Sequence, residues 1–109
     1  MRESFDYFLC FYVPEEHAEQ VKAAVFEAGA GRLGDYEHCC WQTSGLGQFR
    51  PMAGAAPFIG EVDRLERLVE LKVEMICRAD VIKDVIEAMK LAHPYEEPAY
   101  HVLKVEEGF

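Results

Sequence analysis

The sequence predicts a single α+β domain over residues 1–109, with a ferredoxin-like βαββαβ order and a four-stranded antiparallel sheet carrying two helices on one face. Three observations lead to this prediction. A chain of 109 residues is long enough for one two-layer core and too short for two independent cores. Two segments with helical spacing of apolar residues each lie between segments with strand character. Right-handed crossovers then place both helices on the same face of the sheet.

The first half of the chain begins with a run of apolar and aromatic residues at positions 5–13. Such a run predicts a central strand that is covered on both faces. Pro14 ends the strand and opens a helix, since proline is well tolerated in the first helical turn. Apolar residues recur at helical spacing from Ala18 to Ala28, and Gly29 and Gly31 end the helix.

A second strand is predicted over residues 35–43, where polar and apolar side chains alternate. The following residues, 44–60, are rich in glycine and proline and are predicted to form a long structured loop. Loops of this length in compact domains are usually functional or lie at interfaces.

The second half of the chain has the clearest pattern. Apolar and polar residues alternate over residues 69–78, which predicts a strand with one face on the core. Asp80 is the expected N-cap of a helix with a buried stripe from Ile82 to Met89. Pro94 ends that helix, because the residue before a proline is disfavoured in the helical region. The last strand is predicted over residues 99–105.

The sheet face away from the helices is predicted to carry Phe8, Tyr12, Ile76 and Tyr100. These side chains form a surface too apolar for open water. Exposed apolar surfaces of this kind usually mark an interface, so we expect the protein to form a homo-oligomer.

The composition excludes several classes of function. Twenty acidic and eleven basic side chains give a formal charge of −9, which repels phosphate backbones and argues against nucleic-acid binding. No apolar stretch approaches the ~18 residues needed to cross a bilayer, so we expect no membrane partner. The first residues lack the pattern of a secretory signal, and the four cysteines include no CxxC motif. We therefore expect a cytoplasmic protein with reduced cysteines.

The stretch His93-Pro94-Tyr95-Glu96-Glu97-Pro98 is the first candidate site. Two prolines fix backbone angles and a tyrosine can bury its ring, so a purely structural role as a helix-to-strand connector is one interpretation. A ligand site is the other interpretation, because His93 with Glu96 or Glu97, joined by His38 or His101 from a neighbouring strand, offers ligands suited to zinc or copper. The spacing is not a known zinc signature, and both interpretations stay open.

The stretch from Gly45 to Pro51, GLGQFRP, is the second candidate site. It lacks the Gly-Lys-Ser/Thr ending of a P-loop and is not followed by a helical pattern, so it is not a nucleotide motif. Freed backbone amides of Gly45 and Gly47 together with the Arg50 guanidinium still suit a carboxylate or phosphate. The alternative is that Arg50 pairs with one of the many acidic side chains.

Three stretches, HCCWQTSGLGQFRP, GAAPFIGEV and AHPYEEPAYHV, occur in an order that resembles one family. They are similar to the small inserted domain of the Nif-three-like (Ngg-interacting-factor) proteins and to a free-standing version of it. The HPYEEP element is also similar to the CutA cation-tolerance proteins. The resemblance implies a PII/CutA-like fold and a homotrimer as the first expectation. Ala56 stands where the family's loop commonly has an asparagine.

The long Nif-three-like proteins carry a two-metal site, associated with hydrolase or GTP cyclohydrolase activity, on domains that flank the insert. We expect no such activity here, because the sequence contains no counterpart of those domains. The resemblance implies a non-enzymatic oligomeric module with a small-ligand-binding, regulatory or interaction role. A divalent-metal binder with ligands His38, His93 and Glu96 is the alternative, and a hydrolase is the second alternative. The motif residues that carry over are His38, Gly45, Gly47, Phe49, Arg50, Pro57, Phe58, Gly60, His93, Tyr95, Glu96 and Glu97.

Overall fold

The computed structural model describes residues 6–107 and 109. Within this part of the chain, a four-stranded sheet has the order β2-β3-β1-β4, and all neighbouring strands are antiparallel. The predicted ferredoxin-like α+β fold is confirmed. The elements are β1 (Asp6–Pro14), a 3₁₀ turn (Glu15–His17), α1 (Ala18–Glu27), β2 (Trp41–Phe49), β3 (Glu66–Arg78), α2 (Ile82–Ala92) and β4 (Tyr100–Lys104).

The core lies between one face of the sheet and the two helices. Alternate residues of the two central strands point into it, as the sequence pattern predicts, and Phe11 lies opposite Val73 in the β1–β3 register. Both side chains are fully buried. Burying a side chain of this size contributes about 1.5–3 kcal/mol. The core residues with 0% exposure are Leu9, Phe11, Val13, Val21, Val25, Ala30, Val73, Val85 and Met89.

The ends of the two helices differ in how well the sequence predicts them. Gly29 follows α1 with a φ of +116°, which a glycine adopts readily, and its N–H donates to the Phe26 carbonyl. At the start of α2 the N-cap is Val81, with no side-chain hydrogen bond. The predicted capping role of Asp80 is therefore wrong. Its carboxylate instead pairs with Arg78, at 2.9 Å from Nη2 to Oδ2.

The strand predicted over residues 35–43 does not have those bounds, because residues 35–40 are not in a strand. Gly31, Gly34 and His38 all have positive φ, and these left-handed residues turn the chain repeatedly. The Cys39 N–H donates to the Gly31 carbonyl at 2.8 Å instead of joining the sheet. The segment between α1 and β2 is thus a compact connection, and the strand begins only at Trp41.

The long loop predicted over residues 44–60 is wrong for its first third. Residues 44–49 belong to β2, which pairs with β3 along its whole length. The irregular segment is the 50–65 loop, in which the Asp63 N–H donates to the Pro51 carbonyl at 2.7 Å. Glycine content indicated a loop, but pairing with the long β3 strand decides the structure of Gly45 and Gly47.

The open face of the sheet, on the side away from the helices, is half-buried in places and exposed in others. Phe8 lies on it between Ile76 on one side and Leu103 on the other. β1 is a central strand, as predicted, and none of its described residues is exposed. The predicted place of Tyr100 on the open face is wrong, because Tyr100 pairs with Phe11 and packs against the core. Residue 5, the start of the predicted first strand, lies outside the described residues.

Among the residues that the structure describes, neither helix is long and apolar enough to cross a bilayer. The four cysteines are free, and two of them, Cys10 and Cys77, are buried. Burial raises the pKa of the Cys77 thiol to about 11 and so keeps it protonated at neutral pH.

Candidate functional site

A cleft of about 270 Å³ lies where the 50–65 loop faces the connection between α2 and β4. This connection, residues 93–99, is named the 93–99 bridge below. Two irregular segments of the described chain thus share one cavity, together with the outer part of the β2–β3 hairpin. The lining residues are Tyr12, Gln48, Phe49, Pro51, Ala55, Pro57, Phe58, Ile59, Glu70, Tyr95, Glu96, Glu97 and Ala99.

Aromatic side chains form much of the cleft wall. The rings of Phe49 and Tyr95 lie 6.2 Å apart between centroids and are tilted by 53°. Phe58 contacts His17 edge-on at 5.4 Å, which links the 50–65 loop to the turn after β1. Aromatic pairs in such geometries add to the stability gained from burial, so these contacts fix the loop against the body of the domain.

Tyr95 connects the 93–99 bridge to β3 through its hydroxyl group. The Tyr95 hydroxyl donates to Glu70 Oε2 at 2.6 Å. Burial, and then the hydrogen bond to the Glu70 carboxylate, raises the pKa of Tyr95 well above its ordinary value. Tyr95 is therefore a neutral hydrogen-bond donor at every physiological pH, and it holds the Glu70 carboxylate at the cleft.

Gly47 gives this carboxylate its space. A Cβ atom added at Gly47 would overlap the carboxylate oxygen of Glu70 that does not accept from Tyr95. The other strand glycine, Gly45, has open space around the same position. The motif glycine at position 47 is thus explained by the side chain of the neighbouring strand, and the one at position 45 has no such explanation.

His93 is buried at the start of the bridge and uses both ring nitrogens. Its Nε2 lies 2.7 Å from the Tyr12 carbonyl oxygen, and its Nδ1 accepts the Tyr95 N–H at 3.1 Å. A carbonyl oxygen only accepts, so we assign the proton to Nε2 and the neutral tautomer to the ring. Burial lowers the pKa of His93, although the Tyr12 carbonyl opposes this effect. His93 therefore positions Tyr95, and neither nitrogen is free to bind a metal or accept a proton.

The 50–65 loop and the 93–99 bridge are also joined directly. The Ala56 N–H donates to Glu96 Oε1 at 3.2 Å. This contact uses the backbone of position 56, so it does not depend on the asparagine that the family commonly has there. The bond ties the two walls of the cleft together on the solvent side.

The structure brings some of the predicted site residues together and separates others. Phe49, Tyr95, Glu96 and Glu97 line the cleft, and His93 lies directly behind Tyr95. Arg50 is exposed, and its Nη2 lies 3.9 Å from Asp63 Oδ1. This contact favours the predicted alternative, in which Arg50 pairs with an acidic side chain.

His38 is placed away from the cleft lining. Its ring stacks on Phe26 with centroids 4.9 Å apart. Within the described residues, no group of three His, Cys, Asp or Glu side chains is arranged to hold a metal ion. The predicted ligand set of His38, His93 and Glu96 is thus not assembled.

Glu70 and Tyr12 are among the cleft residues that were not predicted as site residues. Glu70 continues the polar side of the alternating β3 pattern, and Tyr12 continues the apolar run of β1. Neither pattern distinguishes them from ordinary strand residues. Their common feature is position, because Glu70 pairs with Pro14, the last residue of β1, and Tyr12 lies two residues before it.

Sequence comparison finds long relatives of this chain. It is 53% identical over 91 residues to a GTP cyclohydrolase 1 type 2 homolog of Mycobacterium bovis, covering 84% of this chain and 24% of that protein. A protein of the same name from Bacillus subtilis is 50% identical over 99 residues, covering 91% of this chain and 26% of the relative. The chain therefore spans about a quarter of the length of the curated relatives it matches. No protein-family model matches it.

Structure comparison adds two kinds of neighbour. A Bacillus cereus protein related to NIF3 superposes with a TM-score of 0.84 at 37% identity, covering 98% of this chain and 27% of the other. The periplasmic divalent cation tolerance protein CutA of Archaeoglobus fulgidus superposes with a TM-score of 0.68 at 19% identity, covering 95% and 87%. The second likeness shows the fold alone. The resemblance indicated by the three motifs is confirmed: over nearly its whole length the chain is similar to one segment of NIF3-related proteins, and it shares its fold with CutA.

Proposed function

We propose that this chain is a non-enzymatic ligand-binding module that takes a small molecule in the cleft between the 50–65 loop and the 93–99 bridge. The observation that carries the proposal is the cleft itself, about 270 Å³ in volume and walled by both irregular segments. Small-molecule sites are typically concave, mostly apolar and furnished with a few placed polar groups. The walls here follow that description, with aromatic rings and prolines around three carboxylates.

The contacts around the cleft support binding over catalysis. The histidine behind the cleft, His93, has both nitrogens engaged in hydrogen bonds. The pKa of Tyr95 is raised by burial, so its hydroxyl does not ionise to act as a base. Both side chains stabilise the shape of the cleft. The cyclohydrolase name of the long relatives is attached to proteins about four times longer than the matched segment, and it does not enter the proposal.

A fragment screen by NMR tests the proposal. Neutral, cationic and anionic fragments of about ten non-hydrogen atoms fit a cleft of this size, and binders should shift the amide signals of the 50–65 loop and the 93–99 bridge. Phe58→Ser should weaken any such binder about tenfold, equivalent to ~1.4 kcal/mol, because it removes an aromatic wall. Leu91→Ser is the matched control, since Leu91 is 89% exposed on α2 and outside the cleft. The proposal fails if no fragment shifts these signals.

We propose further that the module self-associates through the open face of the sheet. Phe8, Ile76 and Leu103 lie side by side in one row across three strands, and Leu103 is 62% exposed. An apolar row of this kind is the usual centre of a homo-oligomer interface. A homotrimer is the state that the resemblance to CutA implies.

Light scattering of the purified chain tests this second part. The wild-type mass should be a multiple of 12.4 kDa, with three copies expected. Leu103→Glu should reduce the mass toward one copy, because a charge in a buried apolar interface is strongly unfavourable. Leu91→Glu adds the same charge at a more exposed leucine outside the sheet and should leave the mass unchanged. A wild-type monomer would contradict the proposed interface.

A further inference from the structure

The cleft combines aromatic walls with an excess of negative charge. Four aromatic side chains line it, Tyr12, Phe49, Phe58 and Tyr95. Three carboxylates join them, and the lining contains no Lys, Arg or His from the described residues. We propose that the cleft selects a small organic cation, meaning an ammonium or guanidinium group carried on an apolar body. This inference rests on the proposed function and specifies the chemical class of its ligand.

The charges of the three carboxylates are not neutralised by the protein. The ion pairs formed within residues 6–107 do not include Glu70, Glu96 or Glu97. Glu70 accepts from the Tyr95 hydroxyl and Glu96 from the Ala56 N–H, and both of these donors are neutral. These hydrogen bonds orient the carboxylates and leave their charge in place. The nearest arginine along the loop, Arg50, is turned to Asp63.

Aromatic rings favour a cation over an anion or a neutral group. The face of an aromatic ring carries partial negative charge and attracts an ammonium or guanidinium group placed within about 6 Å of its centre. Phe49 and Tyr95 both line the cleft, with ring centroids 6.2 Å apart and ring planes tilted by 53°. Rings and carboxylates around one apolar cavity are complementary to a cation that also has an apolar surface.

A bare metal ion fits this arrangement poorly. Metal ions need three or more donor atoms converging on one point, and the described residues contain no such group of His, Cys, Asp or Glu side chains. The carboxylates of the cleft are instead distributed over β3 and the 93–99 bridge, and aromatic rings line the same cavity. A diffuse organic cation matches distributed charge. The volume of about 270 Å³ suits a free small molecule, so we assign the cation to a free small molecule and not to a peptide.

Three compounds with one skeleton test the charge preference. 2-Phenylethylammonium, 2-phenylethanol and 3-phenylpropanoate have similar shape and carry a positive, a zero and a negative charge. Calorimetric or NMR titration of the whole chain at neutral pH should rank the cation at least about tenfold tighter than the alcohol, with the anion weakest. Added sodium chloride should weaken only the cation, because salt screens the carboxylates. A short lysine-rich peptide that binds more than tenfold tighter than 2-phenylethylammonium would overturn the choice of a free small molecule.

Isosteric variants separate charge from shape. Glu70→Gln and Glu96→Gln keep an oxygen acceptor for Tyr95 and Ala56, and each should weaken the cation about three- to tenfold while leaving the alcohol unchanged. Glu87→Gln makes the same change in net charge at an exposed position of α2 and should change neither. Equal binding of cation and alcohol overturns this inference but leaves the proposed function standing. If none of the three compounds binds while other fragments bind the cleft, the preference for a cation is wrong and the proposed function stands. If no fragment binds at all, the preference and the proposed function are both wrong.

Discussion

The two halves of β3 show how one strand serves two purposes. The inner half, residues 71–77, places Leu71, Val73, Met75 and Cys77 into the core, each no more than 8% exposed. The outer half, residues 66–70, has no buried side chain and contributes Glu70 to the cleft. Residues 66–74, which comprise the outer half and the start of the inner half, pair with β2 without interruption. The backbone ladder is therefore continuous, and only the side chains distinguish the part that stabilises the fold from the part that forms the site.

This difference indicates that stability and binding can be changed separately. Side chains under the helices contribute through burial, and their loss leaves cavities in a close-packed interior. Apart from Pro51, the side chains that line the cleft are half-buried or exposed, and hydrogen bonds and ring contacts hold several of them. Substitutions at the two ends of the hairpin should therefore affect different measurements.

The largest effect on stability is expected for Phe11→Ala. The ring is 0% exposed and lies opposite Val73 on the inner half of β3, so its removal should lower the free energy of unfolding by about 3–5 kcal/mol. Phe49→Ala, on the cleft, should cost only about 1 kcal/mol while weakening ligand binding. Urea unfolding and ligand titration of both variants measure the contrast. Similar losses of stability in the two variants would contradict the separation.

The second effect concerns pH and His93. Burial lowers the pKa of His93 in the folded state, whereas an unfolded histidine titrates near about 6.5. Between these values the unfolded chain binds more protons, so the stabilisation is complete above pH of about 6.5 and is lost as the pH falls below it. A protonated Nδ1 also no longer accepts the Tyr95 N–H. Urea unfolding over a pH series should show this decline.

His93→Gln is the matching variant for the pH experiment. It should lower the free energy of unfolding at neutral pH by about 1–3 kcal/mol, because buried backbone partners lose their hydrogen bonds. It should also flatten the dependence of stability on pH below neutrality. His101→Gln, at an exposed position of β4, controls for the removal of an ordinary histidine. An unchanged slope in His93→Gln would show that another group causes the decline.

A smaller effect is expected for Tyr95→Phe, which removes the hydrogen bond to Glu70. Hydrogen bonds to charged groups contribute about 1.5–3 kcal/mol, and the partial exposure of this site places the expected loss at the lower end, about 1.5 kcal/mol. The same substitution in a Gly47→Ala background should cost less, because the added Cβ displaces the Glu70 carboxylate beforehand. A double-mutant cycle measures this coupling. Strict additivity would mean that Gly47 and Tyr95 do not act through the same carboxylate.

The smallest effect is expected for Arg50→Ala. Both Arg50 and Asp63 are largely exposed, with side chains 62% and 73% accessible, and exposed pairs contribute about 0–1 kcal/mol. The earlier expectation that Arg50 holds an anionic ligand predicts a loss of binding. Its position outside the cleft lining predicts no loss. Titration with cationic and anionic fragments distinguishes the two.

The elements that the sequence predicted well are those with a strong internal pattern. The alternation of β3 from Leu71 on and the helical stripe from Ile82 to Met89 place apolar residues into the core, as the structure confirms, whereas Val69 at the start of the predicted alternation is 54% exposed. The region between Asp35 and Phe49 was mispredicted, because β2 is defined by pairing with β3 and not by its own composition. Its residue type suggests that Gly47 lies in a loop, and the glycine is explained only by the space that the neighbouring Glu70 side chain occupies.

The candidate site was predictable only in part. Phe49, Tyr95 and Glu96 occur in recognisable motifs, and they line the cleft. Glu70 carries no local signal, since one glutamate on the polar side of a strand resembles any other. The state of His93 is set by the Tyr12 carbonyl, which is 81 residues away in the chain. Contacts of this range depend on the finished fold, so sequence patterns do not reveal them.

The unburied outer half of β3 has a kinetic consequence. Amide hydrogens there can exchange with solvent through a local opening that leaves the core intact, whereas those of the inner half require global unfolding. A ligand that bridges the 50–65 loop and the 93–99 bridge would close this opening. Ligand binding in the cleft would then slow deuterium uptake in the outer half of β3 and in the residues of β2 that pair with it.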